Sequence, residues 1–233
     1  MKKDTSPLFS MLRCCKMVKP FTIIVEGNIG AGKTTLLDKL KDLPKVKTFK
    51  EDINRWKNLN GHNLLNLVYQ DPIKNNFVFQ NEVFTSQMRD ILHGDMPINI
   101  FERSPYSSFH IFINNMRNRM RNVEYASLQS TFEFITGLEG LNFKPDLVVY
   151  LRTPPEIALK RLQIRGRPEE KTLTLEFIAK IHELHENWLI GHTSPVPAPV
   201  LILEEHSALD TLKEIIFHQI NERIESTEHM DWE

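Results

Sequence analysis

The feature that most constrains the fold is a short apolar run that ends in a glycine-rich turn. Residues 21–26 read FTIIVE, and Gly27-Asn28-Ile29-Gly30-Ala31-Gly32-Lys33-Thr34 then matches the spacing Gly, four residues, Gly-Lys-Ser/Thr. An apolar run that breaks at a glycine predicts a buried strand. From 32 to 43, Leu36, Leu37 and Leu40 recur at helical spacing. Strand, turn and helix in that order are the setting in which this spacing cradles phosphate. Glycines let successive backbone N–H groups curl around the oxygens, and the helix N-terminus adds positive potential. Lys33 is expected to reach the β- and γ-phosphates and Thr34 to hold Mg²⁺, with Thr35 closing the phosphate-binding stretch. A glycine-rich turn without a nucleotide is the plain alternative, and the flanking strand and helix argue against it.

The remaining chain alternates in the same way. Strands are expected over 46–51, 98–102, 146–151 and 200–203. Helices are expected over 56–93 in two pieces broken at Asp71-Pro72, and over 106–121, 125–141, 174–190 and 207–223. Arg103-Ser104-Pro105 opens a helix after the third strand, and Thr153 is expected to cap another, with Glu156 three residues on. The stretch 161–171 is too charged, and too interrupted by Gly166 and Pro168, to read as core. This alternation predicts an α/β fold: a five-stranded parallel sheet flanked by helices, carrying a phosphate loop and a short Arg-rich lid. Ligands of such sheets sit at the carboxyl ends of the strands, where the unusual residue clusters fall. A chain of 233 residues suits one domain, read as 21–226, with a flexible extension at 1–20 and a tail at 227–233.

Composition narrows the function. A net charge of −1 carries no polyelectrolyte signature, so neither nucleic acid nor an anionic membrane surface is an expected partner. No apolar run approaches the ~20 residues of a membrane helix. Cys14 and Cys15 are adjacent, and neighbouring cysteines rarely pair, which points to a reducing compartment. The cytoplasm is expected. Lys2, Lys3, Arg13, Lys16 and Lys19 against Asp4 keep a mitochondrial targeting segment as the alternative. Among phosphate-loop proteins, a GTPase needs an Asn-Lys-x-Asp motif, which is missing here. A motor ATPase should end its third strand in Asp; Glu102-Arg103 stands there instead. A small-molecule kinase remains.

The segments ERSPYSS (102–108), NGHNLLNLVYQDP (60–72), RGRPEE (165–170) and HELHENWL (182–189) resemble the deoxynucleoside kinases, over about 21–203. That family includes deoxycytidine, deoxyguanosine and mitochondrial-type thymidine kinases and the insect multisubstrate enzyme. The resemblance implies transfer of the γ-phosphate of ATP, with Mg²⁺, to the 5′-hydroxyl of a deoxyribonucleoside. It implies Glu51 as general base, which suits the need of a hydroxyl nucleophile for a positioned carboxylate. A solvated strand-end glutamate is the plain alternative. It implies that Glu102 joins Thr34 at Mg²⁺ and that Arg103 holds the carboxylate and the transferring phosphoryl. Gln80 is implied to read the base, Phe112 to stack on it, and Trp56, Leu65, Phe79 and Val83 to wall the pocket. Tyr69 and Glu170 match the pair that binds the 3′-hydroxyl. Arg161, Arg165 and Arg167 match the lid arginines. A homodimer through the helices after strand three is implied too, with Ile111, Phe112, Tyr125, Leu128 and Phe132 as an apolar stretch that core packing would explain equally.

Departures from the family touch the substrate. Deoxycytidine- and purine-preferring members carry an Arg and an Asp where this chain has Gln87 and Ser108, and thymidine-accepting members carry apolar residues there. Both positions are expected to line the base pocket, with a broad, pyrimidine-leaning range as the result. Phe177 replaces a Tyr that often supports the lid glutamate. The alternatives are a thymidylate-type kinase, expected to carry Asp at 28 and Asp-Arg at strand three, and a non-catalytic nucleotide-binding regulator, which has no need of Glu51, Glu102 and the lid arginines together.

Overall fold

The computed structural model describes residues 19–228. The two cysteines, most of the expected N-terminal extension and the end of the tail lie outside the described residues. Strands β1 (Phe21–Gly27), β2 (Val46–Phe49), β3 (Ile98–Glu102), β4 (Leu147–Leu151) and β5 (Val200–Leu203) form one sheet in the order β2-β3-β1-β4-β5. Every pairing is parallel. β1 is therefore central, and its carboxyl end delivers the phosphate loop between the ends of β3 and β4.

Both faces of the sheet are covered, as parallel pairing demands. Helix α1 (Lys33–Leu40) buries Leu36, Leu37 and Leu40 on one face with Ile23, Val25 and Val149, joined by Leu212 and Ile216 of α9 (Glu205–Glu228). Full burial of one such leucine contributes ~1.5–3 kcal/mol. The other face carries Ile24, Val148 and Tyr150. It packs against Phe84 of α4 (Pro72–Leu92), Leu128 of α6 (Asn122–Thr136), and Ile181 and Trp188 of α8 (Leu175–Leu189). The conspicuous HELHENWL segment contributes here: buried His185 lies parallel to the Tyr150 ring, and Glu186 accepts from the Tyr150 hydroxyl at 2.7 Å.

Several boundaries differ from the sequence reading. The span 56–93 holds three helices: α2 (Ile53–Lys57), α3 (Leu64–Gln70) and α4. The break at Asp71-Pro72 is real, because the Asp71 side chain accepts from Lys74 N and caps α4. The additional break follows from the Leu59–His62 bridge, with Asn60 at φ 50°. β2 stops at Phe49, two residues early, which frees Glu51 from the sheet edge. The stretch 106–121 is not one helix but a single turn, α5 (Pro105–Ser107), a π-turn over Ser108–Ile113 and a 3₁₀ turn over Arg117–Arg119. α6 ends at Thr136, where the chain folds back so that Leu141 N reaches Phe134 O.

Two further expectations are corrected. Thr153 does not cap the next helix, α7 (Pro155–Arg165); its hydroxyl donates instead to Ala31 O in the phosphate loop, at 3.2 Å. The charged stretch after α7 is not all solvated either. Gly166, at φ 66°, ends α7 in the left-handed conformation, and a 3₁₀ turn (Pro168–Glu170) then buries both Glu169 and Glu170. Ion pairs, not apolar contacts, make that burial possible.

Candidate active site

A cavity of about 1330 Å³ opens at the carboxyl ends of the strands. Cavities for one small ligand are ~300–1,000 Å³, so this one has room for two substrates. Its lining brings together the expected residues from Ile29 to Thr35 with Glu51, Trp56, Leu65, Tyr69, Phe79, Gln80, Val83, Glu102, Arg103, Ser108, Phe112, Arg161, Arg165, Arg167 and Glu170. Of the expected residues, Gly27, Asn28 and Gln87 do not line it.

The phosphate end is built on backbone and charge. Gly30 sits at φ 80°, and a Cβ there would lie 2.5 Å from Ala158 O, so only glycine fits. Buried Asn28 accepts from Ile29 N at 2.8 Å and donates to Ile178 O at 2.8 Å, fastening the loop to α8. An ionised Asp at this place could accept but not donate, which separates this loop from the thymidylate-type alternative. Lys33 Nζ donates to the carbonyls of Gly27 and Asn28 at 3.1 and 2.9 Å. Burial, seconded by the Arg103 charge, lowers its pKa to about 8. Thr34 Oγ1 donates to Glu102 Oε1 at 2.8 Å. The Glu102 carboxyl is pushed up, by burial first and by the Glu51 charge second.

Arg103 is the hinge of this end. It sits at φ 66° between β3 and α5, a left-handed conformation that costs a side-chain-bearing residue ~1–3 kcal/mol. Its backbone N–H is held by Val25 O, and Ser104 starts α5 with a capping box to Ser107. The guanidinium Nε lies 2.9 Å from Glu51 Oε1, and Cζ lies 4.8 Å from the centre of the Phe112 ring. One side chain thus touches both the carboxylate and the aromatic expected to face the base.

The end expected to take the base is made of helices and neutral groups. Trp56 stands edge-on to Phe79 at 5.5 Å and donates Nε1–H to Ser86 at 3.3 Å. Gln80 donates to Asn76 one turn earlier, at 3.3 Å. Ser108 and Gln87 bond each other, with Oγ 3.0 Å from Nε2. Gln87 therefore meets the cavity only through Ser108, which corrects its expected place in the lining.

The lid makes contacts the sequence reading did not anticipate. Arg165 grips Glu170 with Nε and Nη2, at 3.2 and 2.7 Å, and Arg167 adds a contact at 3.2 Å. Arg161 reaches Ala31 O at 3.4 Å. Burial raises the Tyr69 hydroxyl pKa, and the charges of Glu170 and Glu51 add to it, which marks all three as neighbours. Phe177 packs with Ala158 and Leu162 beneath the lid.

Sequence reasoning missed Glu26, Asn76, Ser86, Thr153 and Glu169. Glu26 is fully buried on β1, accepts from Ser104 Oγ at 2.6 Å, and has its pKa raised by burial to about 7. A glutamate inside an apolar strand was its available signal. The apolar stretch considered for a dimer contact is largely core: Ile111 and Leu128 are buried, and Tyr125 and Phe132 pack against the same cluster.

Comparison with known proteins gives one answer. The family model described as deoxynucleoside kinase matches residues 23–226. Mitochondrial thymidine kinase 2 of Homo sapiens is 37% identical over 215 residues, covering 91% of this chain and 80% of the relative. Its Macaca fascicularis counterpart matches to the same extent. Deoxycytidine kinase of Homo sapiens is 31% identical over 217 residues, covering 82% of this chain and 83% of the relative. With the phosphate loop, Glu51, Glu102 and Arg103 gathered in one cavity, the chain belongs to the deoxynucleoside kinase family.

Proposed function

We propose that this kinase transfers the γ-phosphate of ATP to the 5′-hydroxyl of deoxyribonucleosides, accepting both thymidine and deoxycytidine. The observation that carries the reading is the 2.9 Å pairing of Glu51 with Arg103 beside the phosphate loop. Glu51 takes the hydroxyl proton as the oxygen attacks. Arg103 aims that carboxylate and meets the charge that spreads over the transferring phosphoryl, as do Lys33 and the lid arginines. Closure of the lid excludes water.

Mg²⁺ suits the pair Thr34 and Glu102, which offers two hard oxygens 2.8 Å apart. An ion held there would neutralise charge on the phosphates and on the buried Glu102 carboxylate. Gln80 reads the base by an amide with one donor and one acceptor face. Tyr69 and Glu170 take the 3′-hydroxyl, which requires Glu170 to share its carboxylate with Arg165 and Arg167. The uncharged Gln87–Ser108 pair neither demands the cytosine amino group nor blocks a thymine methyl. One methyl decides only ~1–3 kcal/mol, so the outcome is preference, not exclusion.

Scanning four deoxynucleosides and thymidylate with ATP and Mg²⁺ in a coupled spectrophotometric assay tests the reading. Phosphorylation of thymidine and deoxycytidine is expected; activity on thymidylate alone would contradict it. We also propose a homodimer, supported by exposed Val123 and Phe134 on α6. Light scattering that gives the 27.3 kDa monomer at micromolar concentration would contradict that. The basic segment 1–20 and the mitochondrial character of the two thymidine kinase 2 relatives support the mitochondrial alternative over the cytoplasm. A reporter fused to residues 1–20 would be imported.

A further inference from the structure

Glu169 and Glu170 are consecutive residues of one 3₁₀ turn, yet they hold different parts of the molecule. Glu170 holds Arg165 and Arg167, the phosphate side of the lid. Glu169 leaves the lid altogether: its Oε1 lies 3.1 Å from Lys57 Nζ and 3.0 Å from Asn63 Nδ2. Both partners belong to the nucleoside side. Lys57 ends α2, directly after Trp56. Asn63 caps α3, its Oδ1 accepting from Asn66 N at 2.9 Å, and α3 carries Leu65 and Tyr69. The amide of Asn63 is thus used twice, once to start the helix that walls the pocket and once to hold the lid.

The carboxylate itself is used unevenly. The Glu169 side chain is only 6% exposed, but Oε1 takes both contacts while Oε2 is buried without a partner among the described residues. A buried acceptor without a partner is costly, so the arrangement suits a joint that is remade as the lid moves better than a permanent brace. Gly166, in the left-handed conformation just before the turn, supplies a place for the backbone to pivot.

We propose that Glu169 is a positioning residue that latches the lid to α2 and α3, so that a nucleoside seated against Trp56 and Tyr69 draws Arg165 and Arg167 over the phosphate donor. The inference rests on the function proposed above and adds a coupling between its two substrates. Binding at one site then strengthens binding at the other, a reciprocity required by linkage.

The test measures initial rates of the full chain over a grid of thymidine and ATP concentrations. For the wild type, the apparent KM for ATP falls as thymidine rises. Glu169→Gln and Lys57→Met should each shrink that dependence by about 5-fold or more, and the double variant should lose no more than either single one, because all three remove one contact. A second readout avoids turnover: the thermal shift caused by a non-hydrolysable ATP analogue should grow when thymidine is present in the wild type and not in the variants. A merely structural contact would lower the melting temperature and leave the ATP–thymidine coupling intact, and that result overturns the latch. A wild type that phosphorylates thymidine without any coupling overturns it too, while leaving the proposed function standing. A wild type inactive on every nucleoside overturns both.

Discussion

The two ends of the cavity are built from different materials. At the phosphate end, the groups hang from the carboxyl ends of β1, β2 and β3, and Lys33, Glu102, Glu51 and Arg103 each bond a partner within 3 Å. At the base end, Trp56 on α2, Phe79 and Gln80 on α4 and Ser108 on the π-turn are uncharged and make contact through rings and single neutral hydrogen bonds. A sheet end fixes geometry rigidly, which suits chemistry. Helix surfaces can change side chains without disturbing the sheet, which suits selection among nucleosides.

The largest expected effect falls on the phosphate end. Glu51→Gln keeps the shape of the side chain and removes its basicity, so kcat should fall ~10²-fold or more with little change in nucleoside KM. Steady-state kinetics on thymidine checks this, and a near-normal rate would remove Glu51 from the mechanism. Breaking the loop is the next test. Gly30→Ala places a Cβ 2.5 Å from Ala158 O in a left-handed conformation, so ATP binding should be lost and stability should fall by ~1–3 kcal/mol. Calorimetric titration with ATP reads the first and thermal denaturation the second.

A third prediction concerns the charge buried behind that end. The Glu26 pKa rises from 4.5 to about 7 on folding, so the folded chain binds more protons than the unfolded one in that window. Its contribution is therefore full below pH 4.5 and is lost as pH climbs through 7, by up to roughly 3 kcal/mol. Glu26→Gln should flatten the fall in melting temperature between about pH 5 and about pH 8, measured by scanning calorimetry. An unchanged slope would show that Glu26 does not titrate there.

The two ends also differed in how far the sequence disclosed them. The phosphate loop is local: eight consecutive residues carry the spacing, and the preceding strand and following helix verify it. Glu102-Arg103 could be placed because it closes an apolar strand, but its roles came from the family resemblance. The base end depends on pairs distant in sequence. Gln87 and Ser108 are 21 residues apart, and nothing in either segment announces that they satisfy each other instead of a ligand. Glu169 and Asn63 are 106 apart, so a charged stretch that looks solvated is buried by partners no local pattern reveals. The helix limits between 53 and 121 failed for a related reason. Turns such as the Leu59–His62 bridge and the π-turn at Ser108–Ile113 are set by tertiary packing and carry no periodic signal.

The smallest expected effect belongs to the base end, and set beside the largest it tests the division of labour directly. One assay measures kcat and kcat/KM for thymidine and deoxycytidine in three proteins: the wild type, Glu51→Gln, and the double variant Gln87→Met with Ser108→Ala. The account predicts that Glu51→Gln slows both nucleosides alike and leaves their ratio unchanged. It predicts that the double variant keeps kcat near the wild-type value and shifts the ratio toward thymidine by about 10-fold, the lower end of what one methyl contact decides. A double variant with an unchanged ratio, or a Glu51→Gln enzyme that discriminates differently between the two nucleosides, would contradict it.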